Sequence, residues 1–260
     1  MLRMKKILVC VKMVPVDTDV KMNSEFHMER SRVMHQLNVS DMAAVEAALQ
    51  CKPDAEVTVV TMGTKSSVDI LQDLLIRGVD RTVLLTDRKM AGSDSYATAS
   101  VLKAAIEKLG PFDLILCGRK AVDGETGQVP GELSAALGIP CISNVAKIGA
   151  AGSEILCDRL LESGTASLKV SLPAILSLCE YSYPLRLPSI RARRAAAGKT
   201  VEILGLEDLP LEETCCGQKG SKTKVTKTAR LEAGLRNGPK ETDINAGVEQ
   251  LISMLKENRT

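Results

Sequence analysis

The stretch DLILCGRKAVDGETGQVPGELSAALG, Asp113 to Gly138, holds a short apolar run, a loop rich in glycine and charge, and the start of a helical pattern. DLILCG reads as a strand buried on both faces, because it is continuously apolar and too short for a core helix. ELSAALG reads as a helix closed by glycine. In open parallel sheets, ligands bind outside the carboxyl ends of strands, where loops lead into helix N-termini that favour anions. Arg119 to Leu133 is such a loop. Gly124, Gly127 and Gly131 permit close backbone approach, Thr126 and Gln128 offer donors, and Pro130 suits a first helical turn. Backbone amides there could hold a pyrophosphate, and Asp123 or Glu125 could accept from ribose hydroxyls. The same composition also describes an ordinary polar loop with a helix cap.

Working outward, the pattern repeats. KKILVCVK (5–12), EVTVVTM (56–62) and RTVLLTD (81–87) are further short runs rich in Val, Ile and Leu. Between them lie helical patterns over 40–52, 64–78 and 93–110, with Ser40, Thr64 and Ser93 as expected N-terminal caps and Gly78 and Gly110 as stops. This alternation predicts an α/β fold, a Rossmann-like parallel sheet flanked by helices. Residues 20–35 read as a polar hairpin inserted after the first strand. Three strand-like runs within 145–179 predict added antiparallel edge strands. From about residue 185 the chain turns basic and loses apolar periodicity until 243–256, where Ile244, Val248, Leu251, Ile252 and Leu255 fall on one helical stripe behind Asp243. The expected division is a nucleotide-binding domain over 1–190 and an extended C-terminal arm over 191–260 that ends in a helix and packs on a partner.

Composition narrows the function. Across 260 residues, 34 Lys and Arg face 32 Asp and Glu, a formal charge of +2 that gives no case for nucleic acid. No apolar run reaches the roughly 18–20 residues of a membrane span, and MLRMKK enters ILVCV rather than a secretory signal, so no membrane insertion and a cytoplasmic location are expected. The eight cysteines are scattered in apolar runs apart from Cys215 and Cys216, and read as reduced core residues. No metal-ligand spacing occurs. His27 and His35 both fall in the polar hairpin, and no catalytic constellation is visible, so a bound cofactor has to carry any chemistry. No GxGxxG follows the first strand, and GKT at 198–200 lacks the earlier glycine of a phosphate loop, since Arg193 stands there. AGSDS (91–95) reads as a helix cap. An ATP-cleaving enzyme would need a phosphate loop that CVKMVPVD does not supply, and a stand-alone regulatory module has no use for some 70 further residues.

KILVCVKMVPVD, LNVSDMAAVEAAL (37–49), VTVVTMG (57–63) and LILCGRKAVDGETGQVPGELSAALGIP (114–140) together resemble the β subunit of electron transfer flavoprotein, and LKVSLPAILSLCE and YPLRLPSIRARR extend the likeness over most of 4–200. The resemblance implies a heterodimer with a flavin-bearing α subunit, onto which the C-terminal arm wraps, and electron exchange with a flavin-dependent dehydrogenase, of acyl-CoA type or related. It also implies a nucleotide in the β subunit: structural AMP, or, in the bifurcating branch, a second FAD that takes hydride from NADH and splits the electron pair. Positions matching the family's contacts are Cys10 and Val11; Asn38, Val39, Ser40 and Asp41; Met62; and the loop Ala121, Val122, Asp123, Gly124, Glu125, Thr126, Gly127, Gln128, Val129, Pro130, Gly131 and Glu132. DGETGQVPG is closer to the FAD-binding loop, Asp-Gly-Asp/Glu-Thr-Ala-Gln-Val-Gly-Pro, than to the AMP-binding one, but has Gly127 for Ala and Pro130-Gly131 in exchanged order. Arg119 and Lys120 are assigned to phosphate or flavin electrostatics. CEYSYPLRLPSI (179–190) departs from the family's Asn-Glu-Pro-Arg-Tyr recognition segment, so the dehydrogenase partner is expected to differ from an ordinary fatty acyl-CoA enzyme.

Overall fold

The computed structural model describes residues 4–16, 34–51, 55–151, 154–226 and 241–257. In chain order the first half runs β1 (Lys6–Cys10), β2 (Met13–Pro15), β3 (His35–Leu37), α1 (Val39–Gln50), β4 (Glu56–Met62), α2 (Val68–Arg77), β5 (Arg81–Leu85), α3 (Ser95–Leu109) and β6 (Leu114–Gly118). It continues with α4 (Val129–Leu137), β7 (Cys141–Ala151), β8 (Glu154–Leu161), β9 (Gly164–Ser171), β10 (Ala174–Leu178), α5 (Ile190–Ala195), β11 (Glu202–Leu204), α6 (Gly217–Gly220) and α7 (Ile244–Glu257).

The main sheet has the order β11-β5-β4-β1-β6-β10-β7-β8-β9. Its first seven strands are parallel, and β7-β8-β9 form the antiparallel extension. Strand alternation sorts side chains onto two cores. Ile7, Val9, Leu114 and Leu116 face the side covered by α1 and α2. Leu8, Cys10, Ile115 and Cys117 face the side covered by α3 and α4. On α1 the packing residues are mostly alanine (Ala43, Ala44, Ala47, Ala48), which lets this helix lie close to β1 and β6.

Four expectations are corrected. The run SLKVSLPAILSLC does not supply one antiparallel edge strand: it divides at Pro173 into antiparallel β9 and parallel β10, and β10 enters the sheet between β6 and β7. All five β10 residues are buried, which suits its unbroken apolar run to an interior strand. Helix starts also shift. Asn38, not Ser40, holds the cap position of α1. Asp94, not Ser93, caps α3 by accepting from the Ala97 amide, and after Thr64 a 3-10 turn over Lys65–Ser67 precedes α2. Met13–Pro15 pairs antiparallel with His35–Leu37, while residues 20–33 of the expected hairpin, His27 among them, lie outside the described residues.

The chain divides into a compact unit over 1–226 and a second over 227–260, so the expected boundary at 190/191 falls inside the first unit. The reason is β11, which extends the sheet beyond β5, followed by Leu206, Leu209 and Cys216, which are buried in the α3-side core. In the second unit, α7 has Asp243 at its start accepting from the Ala246 amide, and Ile244, Val248, Leu251, Ile252 and Leu255 are exposed. Among the described residues no helix is long and apolar enough to cross a membrane.

Candidate nucleotide site

A cavity of about 990 Å³ opens at the carboxyl ends of β1, β4, β5 and β6. Its apolar wall includes Cys10, Val11, Met62, Leu85, Met90 and Leu102, and its polar side is the loop from Gly118 to Pro130. This is the position that a parallel α/β sheet offers to a ligand.

The loop is held from below by α1. Asn38 donates to the Lys120 carbonyl at 2.9 Å and to Ser40 Oγ at 3.0 Å, and its own oxygen accepts from the Val122 amide at 3.2 Å. Ser40 Oγ donates to the same Lys120 carbonyl at 2.7 Å. Asp41 accepts from the Gly118 amide at 3.1 Å and the Lys12 amide at 2.7 Å, which ties the ends of β6 and β1 to one carboxyl. Burial pushes the Asp41 pKa up to about 7, although bonds from Lys12, Asn38 and Gly118 oppose the rise. Gly118 is required here, since an added Cβ would stand 2.0 Å from Asp41 Oδ1 and 2.8 Å from its amide nitrogen.

Above this base the backbone turns twice through the left-handed region, at Glu125 (φ 51°) and Gly127 (φ 62°). The turn leaves the amides of Thr126, Gly127 and Gln128 with no protein acceptor among the described residues. α4 begins directly after them and aims its N-terminus at the cavity, with Pro130 in the first turn. Such free amides at a helix start form a seat for an anion. Ser95, at the start of α3, donates to Gln128 Oε1 at 3.1 Å and to Glu132 Oε1 at 3.0 Å, while Glu132 Oε2 is buried without a partner.

The positions matched from the resemblance thus take two roles. Cys10, Val11, Asp41, Met62, Ala121 and Gly124 line the cavity, as do Glu125, Thr126, Gly127, Gln128, Val129 and Pro130. Asn38, Val39, Ser40, Val122, Asp123, Gly131 and Glu132 are not on its wall. Asn38 and Ser40 instead brace the loop, Asp123 pairs with Lys12 Nζ at 2.8 Å, and Gly131 and Glu132 line a second hollow across the loop. Arg119 and Lys120 border both hollows and pair with Glu180 at 2.9 Å and Glu125 at 3.0 Å.

More than half of the cavity wall lies outside the positions that the sequence singles out. Thr86 to Ser95 follows β5, and Glu213, Gln218 and Lys219 complete the wall from the far end of the chain. Lys219 and Lys89 both pair with Glu213, at 2.5 and 2.9 Å, and hold its pKa down at about 2. The strand-end rule applied to RTVLLTD points to the first of these segments, including AGSDS. Nothing local marked the second.

Residues 26–209 match the electron transfer flavoprotein domain family. The chain belongs to the electron transfer flavoprotein family. Its likeness to β subunits of electron transfer flavoproteins runs nearly end to end: it is 37% identical to the one from Thermoanaerobacterium thermosaccharolyticum over 96% of this chain and 97% of that protein. It is 34% identical to subunit CarD of the caffeyl-CoA reductase-Etf complex of Acetobacterium woodii, over 97% of this chain and 98% of that one. The electron transfer subunit gamma of an acryloyl-CoA reductase from Anaerotignum propionicum is 34% identical over 86% of this chain and 87% of that one.

Proposed function

We propose that this β subunit holds FAD in the cavity above β1, β4, β5 and β6, and that the heterodimer takes hydride from NADH and divides the electron pair between two acceptors. The observation that supports FAD is the extent of the cavity. At about 990 Å³ it stands at the upper end of the roughly 300–1,000 Å³ of small-molecule sites, and it runs from the 118–130 loop to the segment after β5. The residues fit a dinucleotide. The amides of Thr126, Gly127 and Gln128 and the N-terminus of α4 would hold the diphosphate, and the apolar wall of Val11, Met62 and Leu85 would receive flat rings. Bound there, a flavin supplies the two-electron acceptance and one-electron release that no side chain of this protein offers.

The residues themselves position and exclude. Asn38 and Ser40 fix the carbonyl of Lys120, so that the following amides point into the cavity. Met62, Leu85 and Met90 keep water from the ring end. The names of two relatives, a caffeyl-CoA reductase complex and an acryloyl-CoA reductase, support a partner of acyl-CoA type.

A second reading, structural AMP, is favoured by one fact: the positions matched from the family, Met62 on β4 apart, gather along the β1 and β6 half of the cavity, where a mononucleotide would suffice. The test is nucleotide content of the chain purified with its α subunit, released by acid and separated by chromatography. Two FAD and no AMP per heterodimer is the expected result. One FAD with one AMP would overturn it and leave a carrier without NADH oxidation.

A further inference from the structure

We infer that Cys10 and Cys117 form a dithiol on the cavity wall that condenses with a trivalent arsenical, a ligand class distinct from any nucleotide. The two residues are directly opposite one another in the parallel register of β1 and β6. Both side chains point to the α3-covered face, and both border the cavity. Adjacent strands lie about 4.8 Å apart, a separation that one bridging atom bonded to two sulfurs can span. Among the described residues no three His, Cys, Asp or Glu side chains converge on a metal site. What the strand pair presents is two thiols and no third ligand.

The electrostatics select the chemistry. The neighbouring Cys10 thiol, burial and the Asp41 carboxyl all raise the Cys117 pKa well above its ordinary value. Thiolate chemistry is therefore disfavoured, because a charge would have to be placed in a poorly solvated wall beside a carboxyl. Arsenous acid is uncharged near neutral pH, and its condensation with two thiols needs no net charge at any stage. Two S–H and two As–O bonds break, two As–S and two O–H bonds form, and two waters leave with no change of oxidation state. One As–OH is retained. The adjacent Cys215 and Cys216 do not compete equally: the Cys216 sulfur is turned to the carbonyls of Lys89 and Glu213, whereas Cys10 and Cys117, though also buried, border the cavity.

The test is arsenite binding to the full chain with its partner, read by native mass spectrometry and by peptide mapping at acid pH. One arsenic per chain is expected in the wild type and in Cys215→Ser, with the peptide around Cys10 linked to the peptide around Cys117, and none in Cys10→Ser or Cys117→Ser. Absence of arsenic in the wild type, or a link mapped to Cys215 and Cys216, would overturn the assignment without any variant having to fold. Loading with FAD or AMP before arsenite reports separately on the nucleotide. Protection of at least tenfold places it over these thiols, and unchanged labelling refutes that placement while leaving the dithiol intact.

Discussion

Arg186 grips Glu46 from two directions, through its backbone amide at 3.1 Å and through guanidinium nitrogens at 2.8–3.2 Å (2.8, 2.9 and 3.2 Å). Glu46 is buried on α1, and burial alone would raise its pKa, yet Arg186 and Gln50 hold it below the ordinary 4.5. The pair fastens a segment whose Leu187 and Ile190 are exposed. Glu46→Ala should cost about 2 kcal/mol, less than a fully buried pair because Arg186 is half exposed, and lower Tm by about 4–8 °C for a unit of this size. A folded pKa below the unfolded one means that this contribution is present above pH 4.5 and fades as pH falls below it. Thermal melts of the heterodimer at pH 7 and pH 4 check both statements.

Asp41 carries the opposite sign. Its folded pKa, about 7, lies above the ordinary 3.8, so the folded state binds the extra proton and stability is lost as pH rises through about 7. Asp41→Asn removes that dependence. The variant should be less stable than wild type at pH 5, since one amide of Lys12 or Gly118 loses its acceptor, and the deficit should shrink by pH 8. A deficit that grows with pH would refute the raised pKa.

Gly118→Ala should be among the most damaging single changes. Its methyl would enter the space held by Asp41 Oδ1 and Ser40 Oγ, at 2.0 and 2.5 Å, and neither belongs to a long side chain that can swing away. A loss of about 3 kcal/mol is expected. Gly131→Ala, which meets nothing within 4 Å, is the control and should leave Tm within about 1 °C of wild type.

The loop itself can be loosened without a clash. Asn38→Ala removes two bonds that set the course of residues 120–122 and one to Ser40, and should weaken nucleotide binding about tenfold, or roughly 1.4 kcal/mol. Gly127→Ala adds about 1–2 kcal/mol of left-handed strain and a contact of 3.2 Å with the Arg119 carbonyl. Equilibrium dialysis with FAD and with AMP measures both variants.

The parallel sheet was legible because buried strands such as LILCG and ILVCV have no polar face to mislead the eye. The loop after β6 was legible because its glycines and its place at a strand end are local facts. β10 was not, because AILSL looks the same whether it ends an antiparallel meander or slots between two parallel neighbours; long-range pairing decides, and composition does not record it. Asn38 and Ser40 were placed near the ligand by likeness, whereas their bonds run to Lys120 and Val122, a supporting role that no spacing reveals. The wall from Glu213 to Lys219 depends on Gly217, at φ 60°, donating to Ser93 Oγ and packing against the carbonyl of Lys89, far back in the chain.

The insertion of β10 between β6 and β7 has a consequence for biosynthesis. When β6 leaves the ribosome its outer edge has no partner, and it must wait while β7, β8 and β9 are made before β10 arrives to pair with it. The opposite edge, β5, waits still longer for β11. Two apolar edges therefore stand unpaired together while residues 119–173 are made, the β5 edge staying open until residue 202, and the nascent chain depends on slow, non-local closure. Chaperone demand during synthesis should fall sharply once residue 204 has emerged.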